Sequence, residues 1–293
     1  MIKKSILTAL VLVTAYHFLF PYLPRKYFQL SGQQRENYFR AQRYVHDLSP
    51  ETNLILGSSM SLRLNEQALG SNYFKLAFGG GSILTGLEII RLKRAHPPVV
   101  LIEMNQVGWD VDHELVHDLS SPWLCCLRNY SPIFREEGRP ANFVNGILEA
   151  LVRHSCRWGT RWLGSDKTAP VNGVNPELFA QLMRMFKDYL ATTPPGLNEN
   201  VKKLGDYVDA LTSSGSICVF YEMPVDSSLT DLQSPRAVRE AAAVRFPRTK
   251  YHWLAFDQQH RYETSDGIHL TQIEADRITE TMAHQVNQIQ RSP

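Results

Sequence analysis

The chain has 293 residues, 43% of them hydrophobic and 20% charged, which is enough for one large core, or a core with a sizeable insertion, and excludes a fibrous or disordered protein. Its 31 basic and 29 acidic residues leave a net charge of +2. They are mixed along the sequence, so no electrostatic footprint for nucleic acid is present and none is expected as a partner.

The first element in chain order is a run of about twenty mostly apolar residues, Ser5 to Pro24, set between Lys3-Lys4 and Arg25-Lys26 and long enough to span a bilayer. It continues through Tyr16, His17, Phe18, Phe20 and Tyr22, where a cleavable signal peptide would turn to small residues. Residues 1–26 are therefore expected to form an uncleaved membrane anchor, the alternative being a buried helix of a soluble domain. Lys3-Lys4 favour a cytoplasmic N-terminus, against the weaker pull of Arg25-Lys26, so the rest of the chain is expected outside the cytoplasm. Residues 27–50 are polar with spaced aromatics and read as a helix or stalk.

From residue 51 onward strands and amphipathic helices alternate. Strands are expected at about 53–57, 72–78 ("NYFKLAF"), 99–105 ("VVLIEMN") and in "ICVFYEM", which begins at Ile217. Ile83, Leu84, Leu87 and Ile90 share one helical face, as do Val201, Leu204, Val208 and Leu211. Parallel neighbours need crossover connections, so this alternation predicts an α/β three-layer sandwich with a central parallel sheet over residues 51–293. Residues from about 106 to 195 interrupt the rhythm and read as a helical insertion, whose Trp109, Trp123, Trp158 and Trp162 form either a small core or a substrate wall. Cys125, Cys126, Cys156 and Cys218 are too few for a disulfide scaffold. A bridge from Cys125 or Cys126 to Cys156 is compatible with an oxidising compartment.

Two stretches carry chemistry. In "TNLILGSSMSLRL", residues 52–64, an apolar run stops at Gly57 and serines follow, which is either turn chemistry or a hydroxyl exposed at a strand end. In "SDGIHL", Asp266 and His269 stand three apart before a helix with an apolar stripe at Ile278, Met282, Val286 and Ile289. Such a histidine can serve as general base while the carboxylate fixes its tautomer, though Asp-Gly is also an ordinary turn.

Taken in order, "GSSMS", "FKLAFGGGS", "VVLIEMNQ" and "SDGIHL" resemble the four blocks of the SGNH (GDSL-like) hydrolase superfamily, across roughly residues 50–110 and 200–290. The resemblance implies a serine esterase or O-acyltransferase that needs no cofactor or metal. Ser59 would be the nucleophile, His269 the base and Asp266 its orienting partner. Ser59, Gly80 and Asn105 would form the oxyanion hole, with Gly81 as the alternative register for Gly80. Position 58 is Ser where many members have Asp, and Asn105 lacks the usual Gly-x-Asn-Asp setting. The anchored layout is similar to proteins of alginate acetylation and teichoic-acid D-alanylation. It implies an acyl donor, a glycan acceptor in the cell envelope, a small acyl group such as acetyl, and a membrane-bound partner protein in acyl transfer. A non-catalytic scaffold of the same assembly is the alternative.

A competing motif is "HELVH", in which His113, Glu114 and His117 match the zinc-peptidase pattern. A catalytic zinc also needs a third protein ligand, and no metzincin-type continuation follows in "DLSSPWLCC".

Overall fold

The computed structural model describes residues 2–24, 32–148, 151 and 176–291. The apolar N-terminal run forms helix α1, Ile2–Leu19, followed by a 3-10 turn at Phe20–Tyr22. Leu7 and Leu12 on α1 are 64% and 63% exposed, so this is not the buried helix of a soluble core. Lys3–Tyr22, with mean hydropathy 1.5, is long and apolar enough to cross a membrane.

The described residues fall into two compact units, one drawn from Met1–Asp47 and His117–Val171, the other from Leu48–Val116 and Asn172–Pro293. The segment read as an insertion is thus divided between them. In the first unit, residues 33–47 form helix α2, Gln33–Asp47, whose Arg35 and Gln42 reach Glu136. Glu136 is almost fully buried, is paired with Arg139 at 2.9 Å, and donates its backbone N–H to the Gln42 side-chain oxygen Oε1, 2.7 Å away. Tyr16 donates to the Gly138 carbonyl at 2.9 Å, and His17 meets the Ser131 hydroxyl at 2.6 Å.

The second unit holds the sheet. Strands β1 (Asn53–Gly57), β2 (Tyr73–Ala77), β3 (Val99–Glu103), β4 (Ile217–Tyr221) and β5 (His252–Trp253) run parallel in the order β2-β1-β3-β4-β5. Helix α4 (Ile83–Lys93) joins β2 to β3, and the chain reaches β4 through a helix that we number α8 (Leu197–Ser213). The short α3 (Glu66–Leu69) precedes β2. Between β3 and α8 come α5 (His113–Ser120), α6 (Pro122–Tyr130) and α7 (Pro176–Leu190). After β4 come α9 (Ser227–Thr230), α10 (Gln233–Arg245) and the terminal α11 (Gln272–Arg291).

Both faces of the sheet are covered, as continuous apolar strands require. On one face Ile55, Leu101 and Val219 pack with Ala275, Ile278, Met282 and Val286 of α11. On the other, α4 lies against β1 and β2, and α8 against β4 and α10. Gly86 permits the α4 approach, since an added Cβ would sit 3.0 Å from the Leu56 side chain and 3.2 Å from the Leu76 carbonyl. Leu54, Ile55 and Leu56 are completely buried, each such side chain contributing about 1.5–3 kcal/mol. Of the four strands expected from sequence, β1 has the expected bounds and the other three are shorter by one or two residues at their ends, and β5 is an addition.

Candidate active site

In the order β2-β1-β3 the three strands are parallel neighbours, so their carboxyl ends open on one edge of the sheet, where open α/β folds bind ligands. Ser59 lies just past β1, Gly80 just past β2 and Asn105 just past β3.

The sequence-predicted serine, histidine and aspartate meet there. His269 Nε2 is 2.7 Å from Ser59 Oγ, and His269 Nδ1 is 2.6 Å from Asp266 Oδ2. With its proton on Nδ1 the ring donates to the carboxylate, leaving Nε2 to accept from the serine hydroxyl. The other carboxylate oxygen, Asp266 Oδ1, accepts the backbone N–H groups of Ile268 and His269 at 3.1 and 2.8 Å. Burial pushes the Asp266 carboxyl up, but the hydrogen bonds from the His269 side chain and backbone outweigh it and hold the group below its usual value. The loop is fixed in turn by the Thr264–Leu270 bridge and by Gly267, whose φ of +105° excludes a side chain that would also run into Met183 of α7.

Beneath Ser59 lies a carboxyl group that the sequence reading missed. Glu103, the last residue of β3, is fully buried and accepts the Ser58 backbone N–H at 3.0 Å and the Ser58 hydroxyl at 2.7 Å. The Ser61 hydroxyl also donates to it and contacts the Tyr221 hydroxyl at 2.7 Å. Burial raises the Glu103 carboxyl above its ordinary value, against the pull of these donors. Gly57 ends the apolar run because an added Cβ would sit 2.1 Å from Ser61 Oγ and 2.6 Å from Glu103 Oε2. The only signal in the sequence was an acidic residue closing an apolar strand, which ordinarily marks a solvated strand end.

Gly80 is exposed, with φ +60°, while the Gly81 N–H is taken by the Phe78 carbonyl at 3.0 Å. Of the two registers, Gly80 is the one whose N–H does not close this turn. The Asn105 side chain bridges to the segment after β4: its Oδ1 accepts from Met223 N at 2.7 Å and its Nδ2 donates to Met223 O at 2.9 Å. An amide nitrogen carries two donors, so one N–H remains beyond this structural bond.

Ser59 opens on a 250 Å³ cavity whose walls include Asn105, Trp109, Phe186, Leu190 and Val238. Trp109 Nε1 donates to the Tyr189 hydroxyl of α7, and the rings meet edge to face with centroids 6.4 Å apart. These two residues also line a second, more open cleft of 740 Å³ with Asp110, Asp188, Asn200 and Lys203. Trp123, in the other unit, is 83% exposed and belongs to no core; Trp158, Trp162 and Cys156 lie outside the described residues. Cys125 and Cys126 are free thiols. His113, Glu114 and His117 lie on α5, and among the described residues no group of three or more His, Cys, Asp or Glu side chains is placed to hold a metal.

No protein-family model matches this chain, and no curated protein does. The class that fold and geometry define is a parallel α/β sheet, order 2-1-3-4-5, bearing a hydrogen-bonded Ser–His–Asp chain at its carboxyl edge.

Proposed function

We propose that this protein is a serine-dependent esterase or O-acyltransferase of the SGNH type. The observation that carries the reading is the continuous chain from Ser59 Oγ through the His269 ring to Asp266, at 2.7 and 2.6 Å, which is the arrangement a hydroxyl needs to become a nucleophile. Ser59 Oγ attacks the carbonyl carbon of an acyl ester while its proton passes to His269 Nε2. The tetrahedral oxyanion is met by the backbone N–H groups of Ser59 and Gly80 and by the remaining N–H of Asn105. Collapse expels the alkoxide, which takes the proton from His269 and leaves the acyl group on Ser59. An acceptor hydroxyl, or water, then repeats the sequence in reverse. Asp266 keeps the imidazole in the required tautomer and stabilises its charged form. Glu103, from β3, holds the turn before the nucleophile by accepting the Ser58 backbone N–H and hydroxyl.

The acceptor in this reading is a sugar hydroxyl of an exported or cell-envelope glycan. The α1 helix serves as membrane anchor, with the catalytic domain on the extracytoplasmic side. The cleft walled by Trp109, Tyr189, Asp110, Asp188 and Asn200 supports this choice, because sugar rings bind by stacking on aromatic faces and by hydrogen bonds from their hydroxyls. Transfer in preference to hydrolysis requires such an acceptor site, since the acyl-enzyme partitions between water and any positioned hydroxyl. The test is to incubate the protein with an acyl-ester donor and a panel of envelope oligosaccharides, then follow acyl-glycan by mass spectrometry. Formation dependent on Ser59 is expected. Hydrolysis unchanged by every acceptor assigns the protein as an esterase or deacylase instead.

A further inference from the structure

The cavity beside Ser59 is larger and more apolar than an acetyl group needs. We infer that it is an acyl-chain pocket and that the protein transfers or hydrolyses medium-chain acyl groups, of about six to ten carbons, in preference to acetyl; this rests on the serine reading above. Three observations carry it. First, size: at about 30 Å³ for each water-sized group, a 250 Å³ cavity takes about eight, and a methylene is close to a water in volume. An acetyl methyl fills one such place and leaves the rest of the wall without a partner. Second, chemistry: Met185, Phe186 and Leu190 of α7, Val225, Val238 of α10 and Ile268 of the histidine loop surround it, and among the described residues its wall includes no Lys or Arg that would hold an anionic ligand. The acid in the wall, Glu222, faces Arg239 at 3.5 Å. Third, position: Ile268 is the neighbour of His269, and Ser59 itself lines the space. A chain attached to a carbonyl at Ser59 Oγ therefore enters the cavity directly.

No reactant beyond an acyl ester is required. The ester C–O bond breaks, a C–O bond to Ser59 Oγ forms, and the proton moves through His269 to the departing alcohol. The acyl chain takes no part in bond changes; enclosing it raises the preference for the longer substrate, each methylene in a fitted apolar pocket counting for about tenfold or more.

The experiment uses the full chain in lipid nanodiscs, supplied with p-nitrophenyl acetate, butyrate, octanoate and palmitate. Rates are measured and the acyl adduct is located by intact mass and peptide mapping. The expected result is a kcat/KM for octanoate at least about tenfold above acetate, with an octanoyl adduct on Ser59. Val238→Phe, which fills the cavity, should cut the octanoate-to-acetate ratio at least about tenfold, and Phe186→Ala, which enlarges it, should move the optimum toward longer chains. Because both variants are read as ratios within one preparation, a partial loss of folded protein does not mimic the effect. Acetate turned over as well as or better than octanoate, with the adduct still on Ser59, overturns the acyl-chain pocket and leaves the serine reading standing. No turnover of any of the esters, or turnover that survives Ser59→Ala with the adduct on another residue, overturns both.

Discussion

Glu103 holds Ser58 twice, accepting its backbone N–H at 3.0 Å and its hydroxyl at 2.7 Å, and so fixes the turn that presents Ser59. Removing the carboxyl leaves buried donors without an acceptor. Glu103→Ala is therefore expected to cost about 3 kcal/mol of stability, measured by urea unfolding, and to remove activity with it. Glu103→Gln keeps an acceptor for the Ser58 N–H and should cost less than about 1.5 kcal/mol. Burial raises the Glu103 carboxyl in the folded state, so the folded chain binds this proton more tightly than the unfolded one. The associated stability is present below the unfolded value, about 4.3, and declines as pH rises toward the raised folded value. The wild-type protein should therefore lose stability relative to Glu103→Gln as pH rises above about 4; a pH-independent difference contradicts this.

Gly57→Ala places a Cβ against Ser61 Oγ and Glu103 Oε2. Overpacking of this kind costs about 1–3 kcal/mol, and the displaced serine turn should lower acyl-ester turnover further than the stability loss explains. Wild-type turnover in Gly57→Ala would show that the turn tolerates the shift.

Ser59→Ala and His269→Ala should each reduce turnover at least about a thousandfold, and the double variant little further, because the two side chains act in one proton transfer. Asp266→Asn should reduce it less, since Asp266 acts by orienting the imidazole. The Asp266 carboxyl lies below its ordinary value, so its contribution to stability is present above the unfolded value of about 3.9 and is lost as pH falls through the lower folded value. In Asp266→Asn that loss at acid pH should be absent from unfolding curves.

His113→Ala should change turnover less than about threefold, and strong chelators should leave it intact, since the proposed chemistry runs through Ser59 and His269. Chelator-sensitive peptidase activity restored by zinc would favour the "HELVH" alternative.

Much of the fold was legible because each strand and crossover helix repeats its own apolar period. β1 and β3 are runs buried on both faces, and α4 and α8 place their apolar residues on one stripe. The strand β5 has only His252 and Trp253 in the ladder, too short a run for any periodicity. Ser59, Asp266 and His269 could be read because a family-like order joined stretches about two hundred residues apart; turn chemistry alone left each of them ambiguous. Glu103 was not legible, since its burial depends on Ser58, Ser61 and Tyr221 arriving from other elements. Asn105 was read from the same family-like order, but its bond to Met223 was not, because it depends on β3 and β4 being neighbours. Helix α7 has an amphipathic sequence in "PELFAQLMRMFKDYL", but that it would wall the serine pocket followed from the tertiary packing.

The assignment of Ser59 as nucleophile is tested by reaction of the folded chain with a fluorophosphonate, mapped by peptide mass spectrometry. One adduct per chain is expected on Ser59, abolished by Ser59→Ala, greatly slowed by His269→Ala, and retained in Ser58→Ala. Folded protein that takes up no label, or that carries it on Ser58 or Ser61 in place of Ser59, would contradict it.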